Sequence, residues 1–284
     1  MMLREYRTTR RRPTTRRRRG PSRAAFLVLG LMLGLVTVTV LLRRGCQTPR
    51  DRLRLHSREL DRRPIRFEPR HAPRSIRVLR TGRRHTAFGC VAAYQGRCIQ
   101  ELELEHYVRG VVVAEEGIFR RHAVVSGRID RLKLRRIQEA WKLQASAARP
   151  YAIYCILVDK YYVRASGFHL TDTPRDQAYA DRRDPDIDRA VAQTRGRVLT
   201  TTTRPTRLIY AEYSASCRGR GTRDVVRRSQ HLPCHPRCRE FAYPGSSHHR
   251  GMCQWGSYLF AAEGHRLDRL LRHYYPNAHL QQMP

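Results

Sequence analysis

In residues 101–116, Leu104, Val108, Val111 and Glu115 fall at i, i+4, i+7 and i+11, so one face of a helix there is apolar and ends in a carboxyl group. A carboxyl in that position loses hydration, which lifts its pKa toward the range where it can donate a proton at neutral pH. That is the work of a general acid on a glycosidic oxygen. Glu116 lies about 100° further round the helix, over Val112 and Arg109, and is expected to face water. A second helical stripe, Ile137, Trp141, Gln144/Ala145 and Ala148, is rich in small residues that let a neighbouring helix approach closely. Gln144 then sits in a packed interface and needs hydrogen-bond partners, with Glu115 a candidate neighbour. Pro150 removes one backbone hydrogen bond from that helix at a cost of about 3 kcal/mol, so a kink or an early helix end is expected there.

Eight cysteines make a second set of reactive groups. Cys90 and Cys98 flank a turn at Gln95-Gly96 and are placed to close a hairpin. Cys217, Cys234, Cys238 and Cys253 would form two more disulfides in a domain outside the cytoplasm, with pairing left open. The competing reading is zinc, because Cys234-His235-Pro236-Arg237-Cys238 is a C-x3-C with His231 nearby, and a structural site takes about four Cys or His ligands. Disulfides are the expectation; metal and cofactor are expected to be none.

The elements that position these groups begin after a long polar and apolar lead. Lysine and arginine number 57 against 24 acidic residues, a net charge of +33, and nearly two thirds of the excess precedes residue 100. Such charge attracts polyanions of any class. Residues 24–42 are an uninterrupted apolar run long enough to span a bilayer, so a single transmembrane helix is expected, behind a basic cytoplasmic tail over 1–23. Cys46 is read as an unmodified thiol. Residues 43–74 carry many Arg and Pro with little apolar periodicity and read as a linker. The folded domain is expected over 75–284, with short strands from Ile76 to Leu79 and from Phe88 to Ile99 ahead of the first helix. The fold class is α+β, antiparallel strands packed with two principal helices.

Three separated stretches resemble the SpoIID/LytB family, named for stage II sporulation protein D and an amidase enhancer. Leu104-Glu105-His106-Tyr107-Val108-Arg109-Gly110-Val111-Val112, continuing to Ala114-Glu115, is similar to the family's L-x-x-Y-x-x-G-V-V-x-x-E-M-P. Glu139 to Ala152 resembles E-A-L-K-A-Q-A-x-A-A-R-T-Y-A. Gly251-Met252-Cys253-Gln254-Trp255-Gly256, with Ala262-Glu263-Gly264 and His273-Tyr274-Tyr275-Pro276 after it, is similar to the closing G-H-G-x-G-M-x-Q-x-G-A, A-x-x-G and H-Y-Y-P, and His248 falls on that motif's histidine. The resemblance covers roughly residues 76–280.

The resemblance implies a lytic transglycosylase acting on peptidoglycan glycan strands stripped of their stem peptides, with Glu115 as the catalytic acid/base. One carboxyl then serves twice, first protonating the bond between N-acetylmuramic acid and N-acetylglucosamine and then accepting the proton of the muramoyl 6-hydroxyl, so no second carboxylate is required. Gln144, Arg149, His248 and Gln254 are the implied substrate-binding residues, Arg149 for the lactyl carboxylate of stripped muramic acid. Some family members hold zinc through a His-Cys pair in mid-domain. The matching stretch here, Pro174 to Tyr179, has no cysteine, and only His169 lies upstream. The implied setting is the cell membrane, with one pass and the domain on the periplasmic or extracytoplasmic side. The competing function is a non-catalytic binder that modulates a cell-wall amidase, which would then be a protein partner. A nucleic-acid partner is excluded, because no binding motif or interleaving of aromatic and basic residues accompanies the charge.

Overall fold

A computed structural model describes residues 55–203, 205–241 and 247–284. The expected tail, the apolar run at 24–42 and Cys46 lie outside the described residues. Among the described residues no helix is long and apolar enough to cross a membrane.

Residues Leu55–Pro284 form one compact unit, of the expected α+β class. Two four-stranded sheets frame it. Strand β1 (Ile65–Arg66) belongs to one sheet; β2 (Ser75–Arg84), β3 (Ala92–Tyr94) and β4 (Arg97–Glu103) belong to the other. The β3–β4 hairpin turns at Gln95-Gly96 as expected, and a disulfide joins Cys90 to Cys98 across it. Strand β5 (Leu170–Thr171) adds to β2 in parallel, giving the order β3-β4-β2-β5. The other sheet has the order β1-β7-β6-β10, with β6 at Arg197–Thr201, β7 at Arg207–Leu208 and β10 at Ala278–Gln282, all antiparallel.

Part of the expected linker 43–74 folds onto the domain. From Leu55 onward the chain is tied down: Arg58 donates its backbone N–H to the Lys160 carbonyl at 2.9 Å, Tyr154 donates its hydroxyl to the Arg63 carbonyl at 2.9 Å, and Ile65 pairs with Leu208. Phe67 enters the core. A few apolar anchors at irregular spacing hold this segment, which is why its lack of periodicity was misleading.

Five helices of eight residues or more complete the unit: α1 (Leu104–Glu116), α2 (Arg131–Leu157), α3 (Pro185–Ala192), α4 (Gln254–Ala262) and α5 (Leu267–Tyr274). Helix α2 is the hub, about 40 Å long at its rise per residue, and it packs against α1, α3, α4, α5 and β6. Asp130 caps its start by accepting the backbone N–H groups of Leu132 and Lys133. Its middle is alanine-rich, with Ala140, Ala145, Ala147, Ala148 and Ala152 fully buried, so neighbouring elements come close on several sides. The early helix end expected at Pro150 does not occur; α2 continues through it to Leu157. Residues Tyr151 to Cys155 beyond the proline are all buried, and that packing outweighs one missing backbone bond.

Candidate active site

The stripe Leu104, Val108 and Val111 is buried, and Glu115, one turn further on, is half-buried at the end of α1. Its Oε1 accepts the backbone N–H of Ala178 at 2.8 Å, and its Oε2 accepts Nε2 of Gln254 at 3.2 Å. The Gln254 amide also donates to Oε1 of Gln144 at 3.4 Å. The end of α1, the middle of α2 and the start of α4 thus meet through three side chains far apart in the sequence. Burial pushes the Glu115 carboxyl up, against two hydrogen bonds that favour its charged form. The negative pole of α1 acts in the same direction as burial.

Gln144 is fully buried, and its Nε2 has no partner among the described residues. That leaves one donor unused beside the acid. It is sealed inside the packed helix interface, so the orphaned donor costs stability and is out of reach of a bound molecule.

Glu116 differs from expectation. It is fully buried, neither carboxyl oxygen has a partner among the described residues, and burial, reinforced by the charge of Glu115, holds its pKa well above the usual carboxylate range. The face over Arg109 and Val112 is covered, since Arg109 reaches Asp188 of α3 at 3.4 Å and Trp141 of α2 donates its indole N–H to the Glu116 carbonyl at 3.3 Å. Neighbours on two sides, invisible in the periodicity of one helix, reverse the exposure of the two glutamates.

Arg149 is a second correction. It is fully buried and makes a two-pronged pair with Glu105, at 2.6 Å and 2.8 Å, while donating to the Arg197 carbonyl at 2.8 Å. Its guanidinium ties α2 to α1 and β6, with no group left for a substrate carboxylate. His248 is exposed and sits on the backbone of strand β8 (Tyr213–Ser214), its Nε2 3.1 Å from the Tyr213 carbonyl oxygen. No hydrogen bond joins it to Glu115, Gln144 or Gln254 among the described residues.

The sequence reading missed the segment that closes the site. Gln177 accepts the Tyr107 hydroxyl at 3.1 Å and donates to the Ala148 carbonyl and the Tyr213 hydroxyl, so it clamps α1, α2 and β8 together next to Ala178. Ion pairs of Arg80 with Asp172 and of Lys160 with Asp176 hold this stretch against β2 and the end of α2. Gly110 permits the approach: a Cβ there would stand 2.2 Å from the Tyr179 ring and 2.8 Å from the Ala180 oxygen. The glycine of the first motif was the available signal, since a glycine inside a helix costs stability unless another chain passes close. His169 accepts the Arg77 backbone N–H through Nδ1 at 2.9 Å and is committed to the sheet.

Strand β8 pairs in parallel with β9 (Met252–Cys253), which delivers Gln254 as the first residue of α4. The two further disulfides expected among Cys217, Cys234, Cys238 and Cys253 are not formed; all four are free thiols gathered in one cluster beneath α4.

Residues 94–201 match the family model SpoIID, described as stage II sporulation protein. Over this stretch the chain is similar to a SpoIID domain. It carries Glu115 and Gln144 and ends before the segments bearing His248 and Gln254. The domain ties the chain to a cell-wall-related function. A comparison with the curated proteins finds no match.

Proposed function

We propose that the protein is a lytic transglycosylase that cleaves N-acetylmuramic acid–N-acetylglucosamine bonds of peptide-stripped glycan strands. The observation that carries the proposal is the half-buried Glu115 carboxyl, raised in pKa yet held in place by the Ala178 N–H and the Gln254 amide. Glu115 is the one of the two adjacent glutamates that an incoming sugar can touch; Glu116 is sealed off.

Protonated Glu115 donates its proton to the glycosidic oxygen as the C1–O bond breaks, and the N-acetylglucosamine side leaves as an alcohol. The resulting carboxylate takes the proton of the muramoyl 6-hydroxyl as that oxygen bonds to C1, giving a 1,6-anhydro ring and returning the acid to its starting state. Gln254 follows both charge states, because its amide stays bonded to Oε2 while Ala178 N–H stabilises the carboxylate between the steps. The domain works on the outer side of the membrane, tethered by residues 24–42, a placement that the Cys90–Cys98 disulfide favours.

Mass spectrometry of products from peptide-free glycan strands tests the reaction. Wild-type protein should release 1,6-anhydro ends, and Glu115→Gln should bind the strands without releasing them. Strand binding by the wild type with no anhydro product would replace the enzyme with a binder that modulates a cell-wall amidase. Protease added to intact spheroplasts tests the topology, since full protection of residues 55–284 would overturn it.

A further inference from the structure

Cys217, Cys234, Cys238 and Cys253 come from three separate segments of the chain, and their sulfurs all lie within 4.8 Å of one another. The Cys238 sulfur is 3.4 Å from that of Cys253 and 3.7 Å from that of Cys217. Two disulfides would require two pairs at about 2.0 Å with longer separations between pairs. Here Cys238 is shared about equally between two neighbours and no pairing is singled out. Four thiolates around one zinc at about 2.3 Å stand at the corners of a tetrahedron with edges of about 3.8 Å, and the observed separations fall around that value.

The surroundings suit thiolates held by a cation. The Cys253 sulfur accepts the backbone N–H of Cys217 at 3.3 Å and that of Gly256 at 3.4 Å, the second in the first turn of α4. The Ser216 hydroxyl lies 3.6 Å from the Cys238 sulfur, and the Tyr274 hydroxyl 3.9 Å from that of Cys234. Donors in this outer position orient metal-bound sulfur and spread its charge. Gly256 makes room, because a Cβ there would stand 2.4 Å from the Cys234 sulfur. A zinc ion with four thiolates carries a net charge of about −2, and Arg218, Arg220, Arg237 and Arg239 flank the cysteines in the sequence to offset it. His235 is not a ligand: its Nε2 is 2.7 Å from Glu263 Oε1, and its Nδ1 accepts the Arg237 N–H.

We propose that these four cysteines bind one structural zinc ion, a site separate from the glycan site. Four sulfurs fill a tetrahedral shell, so the ion is closed to substrate and serves to fold its surroundings. Those surroundings need it. Between residues 209 and 253 the described strands are each two residues long, and the one helical stretch is the five-residue turn Pro236–Glu240, too little regular structure to bury a core of its own. Cys253 immediately precedes Gln254, so the ion fixes the start of α4 and with it the amide that bonds Glu115.

Metal analysis and a thiol count on the full-length chain, purified without chelator or reductant, test the site. About one zinc per chain and six thiols titratable after denaturation are expected, because among the described residues only Cys90 and Cys98 are bridged and Cys46 is read as an unmodified thiol. Two further disulfides by intact mass, iron in place of zinc, or reduced thiols without metal would each overturn the proposal. Cobalt exchange into the wild-type chain keeps the test independent of variants that fail to fold: it should give the strong ultraviolet thiolate-to-cobalt bands and the visible bands of a tetrahedral tetrathiolate. Cys238→Ser should lose most of the zinc and His235→Asn should keep it. Loss of zinc in His235→Asn would overturn an all-sulfur site.

Discussion

Residues 94–201 and residues 209–254 each contribute to the same carboxyl group, yet they are held together by different means. The first region is built from α1 and α2, whose faces are apolar over most of their length, and it presents Glu115 and Gln144 from helices locked by packing and by the Arg149–Glu105 pair. The second has two-residue strands and many arginines, and it gathers around four sulfurs before releasing Gln254 into α4. Periodic apolar sequence suffices to place a side chain where a helix can bury two or three faces. Where periodicity is missing, the chain needs point-like ties, and the residue that matters stands immediately beside one of them.

The largest expected effect lies where the two regions touch. Glu115→Gln keeps the size and most hydrogen bonds of the site but cannot deliver a proton, so release of anhydro product should fall by roughly 10²–10⁴-fold with folding unchanged. Product release at the wild-type rate would show that the two regions meet for binding alone.

Breaking the helical region from within should cost stability. Arg149→Met leaves Glu105 half-buried without its partner, and chemical denaturation should show a loss of about 3–5 kcal/mol. An unchanged midpoint would mean that apolar packing alone holds α1 to α2. Gly110→Ala pushes a methyl group into the Tyr179 ring and the Ala180 carbonyl. The expected cost is about 1–3 kcal/mol of overpacking, with turnover falling further than stability because Ala178 moves away from Glu115. Equal stability and turnover to wild type would remove the close approach from the account of the site.

The smallest effect is a change of slope. The Glu116 carboxyl is raised in the folded state relative to the unfolded one, so the folded protein binds more protons in the interval between the two pKa values. Stability from this group is therefore fully present below the usual carboxylate range and is lost as the pH rises toward the folded value. Glu116→Gln should flatten that decline in thermal unfolding measured from acid to neutral pH. An identical slope in wild type and variant would place the decline on other groups.

Residue order alone carries the α+β class, the β3–β4 hairpin with its Cys90–Cys98 bridge, the apolar face of α1 that leads to Glu115 and the stripe that buries Gln144. Each rests on local spacing: alternation, a turn between two cysteines, or a helical repeat, all of which are set by neighbours a few residues away. Tertiary structure decided which of the two glutamates is exposed, whether Arg149 is free, whether Pro150 ends a helix, and which disulfides form. Asp188 of α3, paired with Arg109, and Trp141 of α2 close over the Glu116 end of α1, Glu105 claims Arg149, burial carries α2 past its proline, and three distant segments bring four cysteines together. Those outcomes depend on which surfaces meet, and a periodic pattern tells what one element offers without telling what arrives to cover it.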